Sequence, residues 1–357
     1  MNPKQFIDVG EKKIGIDHPT YFIADIAANW DESIERAKDL IYLAAESGAD
    51  AAKFQNFSAD TIISALSFES LGSNNSHQSS WKESVYEVYD KASLPLQWTM
   101  ELKQTCDDAG IHYFTTPYEI SFVEMLKEHV VGWKLGSGDI TWHDHIEEMS
   151  KLDMPFFIAT GASTLDEVEK AVAVAKKHTA KIILMQCNTN YTASLENFKY
   201  IALNVLKQYK VLFPDLVLGL SDHTPGHTTV LGSVALGARA IEKHFTDDND
   251  RIGPDHKFSM NPESWREMVD RTRELELALG DEEKIVMENE RESSVVQRRS
   301  IHVNKDISVG ETIKEEDLIM LRPELKDSFP PYLKDKVIGK IAKKNIKKNS
   351  SVKSTDI

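Results

Sequence analysis

A closed (β/α)₈ barrel followed by a small β-rich domain is the architecture this sequence predicts. Three observations lead there. From about residue 20, short apolar runs rich in β-branched and aromatic residues alternate with stretches of helical period, which is the signature of successive β-then-α units. Eight such units occupy the span from residue 21 to the Gly280 region, the usual size of a barrel of this kind. No GxGxxG opens the first helix, and the lone Gly136-Ser137-Gly138 is too short a signal to indicate an open dinucleotide-binding sheet instead.

The strands are expected at 21–26, 50–55, 111–116, 132–135, 156–160, 182–186, 216–220 and 238–245. Between them, apolar residues recur at three- and four-residue spacing, as in Ile34, Ala37, Ile41, Ala44 and in Leu165, Val168, Val172, Ala175, so each helix buries one stripe. The run Ser163-Thr164-Leu165-Asp166-Glu167 carries a capping signal, in which a hydroxyl accepts from free amides and carboxylates favour the positive helix end. The segment 56–93 is too long for an ordinary βα loop and is crowded with Ser, Asn and Gln at SNNSHQSS, as a lid or a surface insertion would be. The barrel domain is placed at 1–280. An acidic stretch at 281–296 reads as a linker. The second domain, 297–357, has 14 Lys and Arg against 9 Asp and Glu, a local +5 that leaves −20 for the rest. Alternation in Ser300-Ile301-His302-Val303 and turns at Gly310 and Gly339 suggest its β-rich character.

Composition bounds the function. With 357 residues, 41% apolar and 28% charged, the chain is globular. A net charge of −15 disfavours nucleic acid and anionic membrane, so an anionic substrate needs a local basic cluster. Two cysteines, Cys106 and Cys187, form no CxxC, and reduced thiols in a cytoplasm are the expectation. No apolar run is long enough for a bilayer and the first residues lack a signal-like apolar stretch, so a cytoplasmic protein with no membrane partner is expected.

Polar residues gather at the strand ends, the face where barrels build their sites. His223 in GLSDHT and His244 in IEKHFT follow the seventh and eighth strands, which are neighbours in a closed barrel. Two imidazoles there can hold a divalent ion with positions left open for substrate. Lys53, Lys134 and Lys243 sit at or near strand ends and need partners, of which a bound anion is one. Ser137, Thr189 and Ser221 add hydroxyls suited to phosphate oxygens. Asp25, Glu242 and Asp255 supply carboxylates that can orient water or take a proton, and Gln55 and Tyr191 supply neutral hydrogen-bonding groups.

The strings KFQ, KLGSGDI, ATGAST, QCNTNY, GLSDHT, EKHFT and GPDHKFS fall in the order and spacing of the sialic acid synthase family, and the chain resembles that family over nearly its whole length. RRSI, DISVG, LRP and IGK in the terminal part resemble the antifreeze-like (SAF) domain that ends its members. The resemblance implies condensation of phosphoenolpyruvate with an open-chain N-acetylhexosamine such as N-acetylmannosamine, giving a nonulosonic acid and inorganic phosphate. It implies Mn²⁺ or Mg²⁺ on His223 and His244, and phosphoenolpyruvate on Lys53, Lys134, Ser137, Thr189 and Ser221. Gln55, Tyr191 and Asp255 would meet the sugar, and Asp25, Glu242 and Lys53 would carry catalysis. Arg322, in the LRP of the terminal domain, matches the arginine that reaches the sugar in the partner's barrel, which implies a domain-swapped homodimer.

The chain departs from the family at Asp25, where a glutamate is common, at Trp30, where a histidine is common, at Ala159 in place of serine and at Thr189 in place of asparagine. A changed sugar specificity, toward a diamino-6-deoxyhexose on the way to legionaminic or pseudaminic acid, is the simplest expectation. Two other classes stay open. A Schiff-base aldolase would use Lys134 or Lys243 as nucleophile, and a carbohydrate-binding protein would have lost its active site.

Overall fold

The computed structural model describes residues 6–71, 78 and 81–357. The chain forms two compact units, Met1–Gly280 and Asp281–Ile357.

The first unit opens with a hairpin that the sequence reading did not anticipate, β1 (Phe6–Val9) and β2 (Lys12–Gly15), paired antiparallel. Eight parallel strands then close into a barrel: β3 (Tyr21–Asp25), β4 (Ala51–Asn56), β5 (His112–Pro117), β6 (Trp133–Leu135), β7 (Phe156–Ala159), β8 (Ile182–Cys187), β9 (Val217–Asp222) and β10 (Ala238–His244), with β10 returning to β3. Helices α1 (Ile34–Glu46), α5 (Thr99–Ala109), α6 (Ile120–Leu126), α7 (His143–Ser150), α8 (Leu165–Ala175), α9 (Val205–Leu212), α10 (Thr228–Ala235) and α11 (Pro262–Leu279) follow the strands in turn. The capping signal read at Thr164 is realised: its hydroxyl accepts from the Glu167 amide while the Glu167 carboxylate accepts from the Thr164 amide. Among the described residues, three short helices are inserted between β4 and α5: α2 (Ala59–Ile62), α3 (Ala65–Leu71) and α4 (Val85–Ala92). Most of SNNSHQSS lies outside the described residues.

Strand parity divides the apolar residues into two cores. One face of each strand meets the helices, where Phe22, Ala24, Phe54, Leu135, Ile158, Leu184, Leu220 and Ile241 pack with Leu40, Ile41, Leu102, Val168 and Trp265. The other face fills the barrel. Its lower layers hold Tyr21, Ile23, Ala51, Phe114, Phe157, Ile183, Met185, Val217 and Ala240, plugged from below by Ile7, Val9 and Ile14 of the hairpin. An apolar plug satisfies the lower barrel and leaves the upper inward positions for polar side chains.

The second unit contains α12 (Arg291–Val296) and an antiparallel pair, β11 (Ser300–Val303) and β12 (Leu318–Leu321). Residues 281–296, expected as a linker, are largely exposed and belong to this unit. Ile301, Val303, Ile307, Ile313, Val337, Ala342, Ile346 and Val352 form its core. The two turns read from the sequence place Gly310 and Gly339 at φ 87° and 76°, a region that disfavours residues with a Cβ.

Candidate active site

Above the apolar layers the barrel interior turns charged, and the register explains how. Asp25 on β3 pairs with Lys53 on β4 and with His244 on β10, while Glu242 on β10 pairs with Ser221 on β9. Residues paired across parallel neighbours point to the same side, so all five face inward. Lys53, Lys134 and Glu242 thus lie within the strands expected for them, and His244, expected to follow the eighth strand, is its last residue.

These side chains line a cavity of about 310 Å³ that includes Asp25, Lys53, Gln55, Thr116, Lys134, Ser137, Thr189, Tyr191, Ser221, His223, Glu242, His244 and Asp255. Lys53 Nζ lies 2.7 Å from Asp25 Oδ2 and 3.8 Å from Glu242 Oε1. Lys134 Nζ lies 3.2 Å from the same Glu242 oxygen, which also accepts from Ser221 Oγ at 3.3 Å. Burial opposes charge on Lys53, but the Asp25 and Glu242 carboxylates outweigh it and hold the ammonium above its ordinary pKa. Asp25 is fixed further by the Ala27 amide at 3.1 Å and the Gln55 amide at 3.2 Å.

His223 and His244 meet with ring centroids 5.4 Å apart, flanked by the rings of Tyr191 and Phe258. His223 Nδ1 lies 3.0 Å from the Asn188 carbonyl, which fixes the proton on Nδ1 and leaves the Nε2 lone pair uncommitted. Burial pushes the pKa of His223 down, and burial together with His223 and Lys53 pushes that of His244 well down, so both rings are neutral. His244 Nδ1 and Glu242 Oε2 are buried with no hydrogen-bond partner. Neutral imidazoles and an orphaned carboxylate oxygen are donors that suit a divalent cation. Among the described residues no three His, Cys, Asp or Glu form a closed metal cage, and two imidazoles alone leave room for other ligands, as catalytic ions require.

Also on the cavity lining, Ser137 Oγ and Thr189 Oγ1 are 2.7 Å apart. A Cβ at Gly161 would overlap Thr189 Oγ1 and lie 3.0 Å from Cys187 Sγ, so only glycine lets this backbone approach the hydroxyl pair. Asp255 is half-buried on the cavity wall, and its desolvation raises its pKa to about 6 despite the Ala28 amide donating to Oδ2 at 3.1 Å.

Four expected residues stand elsewhere. Lys243 is on β10 but points outward, where its ammonium bonds the Asp222 carboxylate and, at 2.5 Å, the Thr224 carbonyl. Asp222 accepts two more bonds, from Thr224 and Thr229, so this pair belongs to the barrel–helix layer and not to the cavity. Trp30 is buried against Trp98 and, like Ala159, does not line the cavity. Arg322 follows β12 in the second unit.

Several lining residues were missed by sequence reasoning: Phe57, Ile62, Trp81, Val88, Tyr89, Ala92, Tyr118 and Asp139. Asp139 lies within the quoted KLGSGDI string but was given no role, and burial raises its pKa to about 6. Most of the others come from the 56–93 insertion, where no charge pattern marks them.

The fold and cavity together define a barrel enzyme with its site on the C-terminal rim of the strands. The chain belongs to the NeuB family, whose model matches residues 40–284, and a SAF domain follows at 298–357. It is a nonulosonic acid synthase, a transferase. It is 34% identical over 338 residues to the N,N'-diacetyllegionaminic acid synthase of Campylobacter jejuni, covering 94% of this chain and 99% of that one. The pseudaminic acid synthase of the same organism is 30% identical over 343 residues, covering 95% and 97%. The crystal structure of the sialic acid synthetase of Leptospira borgpetersenii in complex with citrate superimposes with a TM-score of 0.70 at 27% identity, over 81% of this chain and 95% of that one.

Proposed function

We propose that this synthase joins phosphoenolpyruvate to the open-chain form of an N-acetylated hexosamine, releasing inorganic phosphate and a nonulosonic acid. The observation that carries this reading is the hub at Glu242. One carboxylate gathers Lys53, Lys134 and Ser221 on the inner barrel wall, beside the neutral pair His223 and His244.

Formal charge explains why such a hub suits an anion that arrives with a cation. Lys53 and Lys134 face Asp25 and Glu242, so the four groups already balance. A phosphorylated carboxylic acid brings net negative charge into this buried site, and a divalent ion restores neutrality. Mn²⁺ or Mg²⁺ on His223 and His244 would supply Lewis-acid polarisation of the sugar aldehyde. Lys53 and Lys134 would bind the carboxylate and phosphate of phosphoenolpyruvate, and the Ser137, Thr189 and Ser221 hydroxyls would fix their oxygens.

With both substrates held, C3 of phosphoenolpyruvate attacks the aldehyde carbon, forming the new C–C bond as the carbonyl oxygen takes a proton. Water adds to the resulting oxocarbenium carbon. The tetrahedral intermediate then breaks its C–O bond to phosphate and becomes the keto acid. Asp25 and Glu242 are placed to steer that water or hold its proton, being carboxylates within the inner ring. Gln55, Tyr191 and Asp255 would meet the sugar, and Arg322 would do so from a second copy of the chain in a domain-swapped dimer.

The test is phosphate release from phosphoenolpyruvate with N-acetylmannosamine and its diamino and 6-deoxy relatives, with and without manganese. Chelation is expected to abolish release and manganese to restore it, and His223→Ala or His244→Ala to remove it. Turnover by metal-free protein would overturn the metal assignment. Tight sugar binding with no phosphate release under any metal would overturn the synthase reading.

A further inference from the structure

A buried ion pair on the outer side of the barrel wall takes no part in the chemistry above. Lys243 and Asp222 are each 2% exposed and face the helix layer from β10 and β9. Such a pair is a weak source of stability, since apolar side chains of similar volume often do as well or better. What it supplies is fixed geometry, and its place in the register says which geometry is fixed.

Lys243 and Asp222 are paired neighbours across β10 and β9, and the next residue on each chain is a histidine, His244 and His223. Side chains alternate along a strand, so the ion pair stands on the outer face immediately before the inward pair of imidazoles. The two histidines are held unequally. His244 ends β10, is paired with Asp25 of β3, and its carbonyl accepts from the Met260 amide at 2.8 Å. His223 lies beyond the last residue of β9. Lys243 secures it from both sides: its ammonium donates to the Asp222 carboxylate, before the histidine, and to the Thr224 carbonyl at 2.5 Å, after it. The same Asp222 oxygen accepts from Thr224 Oγ1 at 2.7 Å and from Thr229 Oγ1 at 2.8 Å, which ties the segment to α10. Asp222, His223 and Thr224 are thereby pinned as a unit with the imidazole in the middle.

We infer that the Lys243–Asp222 pair, braced by Thr229, is a positioning device that keeps His223 at the spacing from His244 that one shared divalent ion needs. Imidazole–metal bonds are about 2 Å long and allow errors of only about 0.2 Å, so a small drift of the His223 segment would break the site. The inference rests on the metal assignment proposed above and extends it to residues that never touch the ion.

The experiment titrates the substrate-free full chain with Mn²⁺ and reads the free ion by its electron paramagnetic resonance signal. Asp222→Asn combined with Lys243→Met removes both charges and leaves neither unpaired. This double variant is expected to bind Mn²⁺ about 10- to 100-fold more weakly than wild type, the usual worth of groups that orient metal ligands. Thr229→Val keeps both charges and is expected to weaken binding severalfold. Val172→Ala, in the barrel–helix layer on α8, lowers stability on an element that carries neither histidine and is expected to bind as wild type does, with thermal melts confirming that each variant folds. Wild-type affinity in the double variant or, should that variant not fold, in Thr229→Val would overturn the positioning role, as would an equal loss in Val172→Ala. Wild-type binding of Mn²⁺ no tighter than that of His223→Ala would overturn the metal assignment together with the inference.

Discussion

Replacing Asp255 by Asn tests whether the cavity holds a carboxylate at the expense of stability. Burial raises the Asp255 pKa from 3.8 to about 6, against the Ala28 amide, His256 and Lys53, which favour the ionised form. At 1.36 kcal/mol per pKa unit, the folded protein disfavours the ionised carboxylate by about 3 kcal/mol. The sign follows from linkage. A group whose folded pKa lies above its unfolded value adds stability below the unfolded pKa, and that stability is lost as pH rises through the folded pKa. Here the loss runs from about pH 4 to above pH 6. Asn carries no charge and keeps an oxygen for the Ala28 amide, so Asp255→Asn is expected to match wild type near pH 3.5 and to exceed it by up to about 3 kcal/mol at pH 8. For a chain of this size that is a rise in Tm of about 5 °C, measured on chelated, substrate-free protein at both pH values. In the same variant kcat/KM for the sugar is expected to fall at pH 8, because the ionised acceptor is gone. A stability gain of equal size at both pH values, or a less stable variant at pH 8, would refute the reasoning.

Lys243→Met removes one partner of a buried ion pair outside the cavity, so it is expected to cost about 3–5 kcal/mol of stability. Borohydride is expected to trap no keto acid on Lys243, and a trapped adduct would refute the outward placement. Gly161→Ala is expected to push Thr189 off Ser137 and to raise the KM for phosphoenolpyruvate roughly 10- to 100-fold, the worth of one hydrogen bond to a charged group. A KM within twofold of wild type would show that the hydroxyl pair does not bind this substrate.

The barrel was legible because each strand is a short apolar run bounded by polar residues, and the eight expected spans fall within one or two residues of the observed strands. The hairpin was not, since four-residue strands such as FIDV and KKIG carry too little periodicity to stand out. The site was legible in its residue types but not in its depth. Lys53, Lys134, Glu242 and His244 fall within the expected strand spans, but that they face inward and are buried follows from register, because the upper layer of this barrel is filled with charge where the lower layers are filled with Phe, Ile and Met. The outward turn of Lys243 follows from a parity already present in the sequence: a residue between Glu242 and His244 on one strand must face the other way. No comparable rule reaches Ile62 or Val88, whose place on the cavity depends on how an insertion folds back over the barrel.

That difference bears on how specificity can change while chemistry stays fixed. Asp25, Lys53, Lys134, Ser221, Glu242 and His244 are locked to one another by strand register and by a shared carboxylate, so altering any one leaves a buried charge or polar atom unpaired. The departures at Trp30 and Ala159 lie in packed layers away from the cavity, and the departure at Asp25 keeps its ion pair with Lys53 at 2.7 Å. The insertion is under no such constraint: Ile62, Val88 and Ala92 are only partly buried and belong to no ion pair. A substitution there breaks no ion pair and leaves the charged layer on the barrel strands intact.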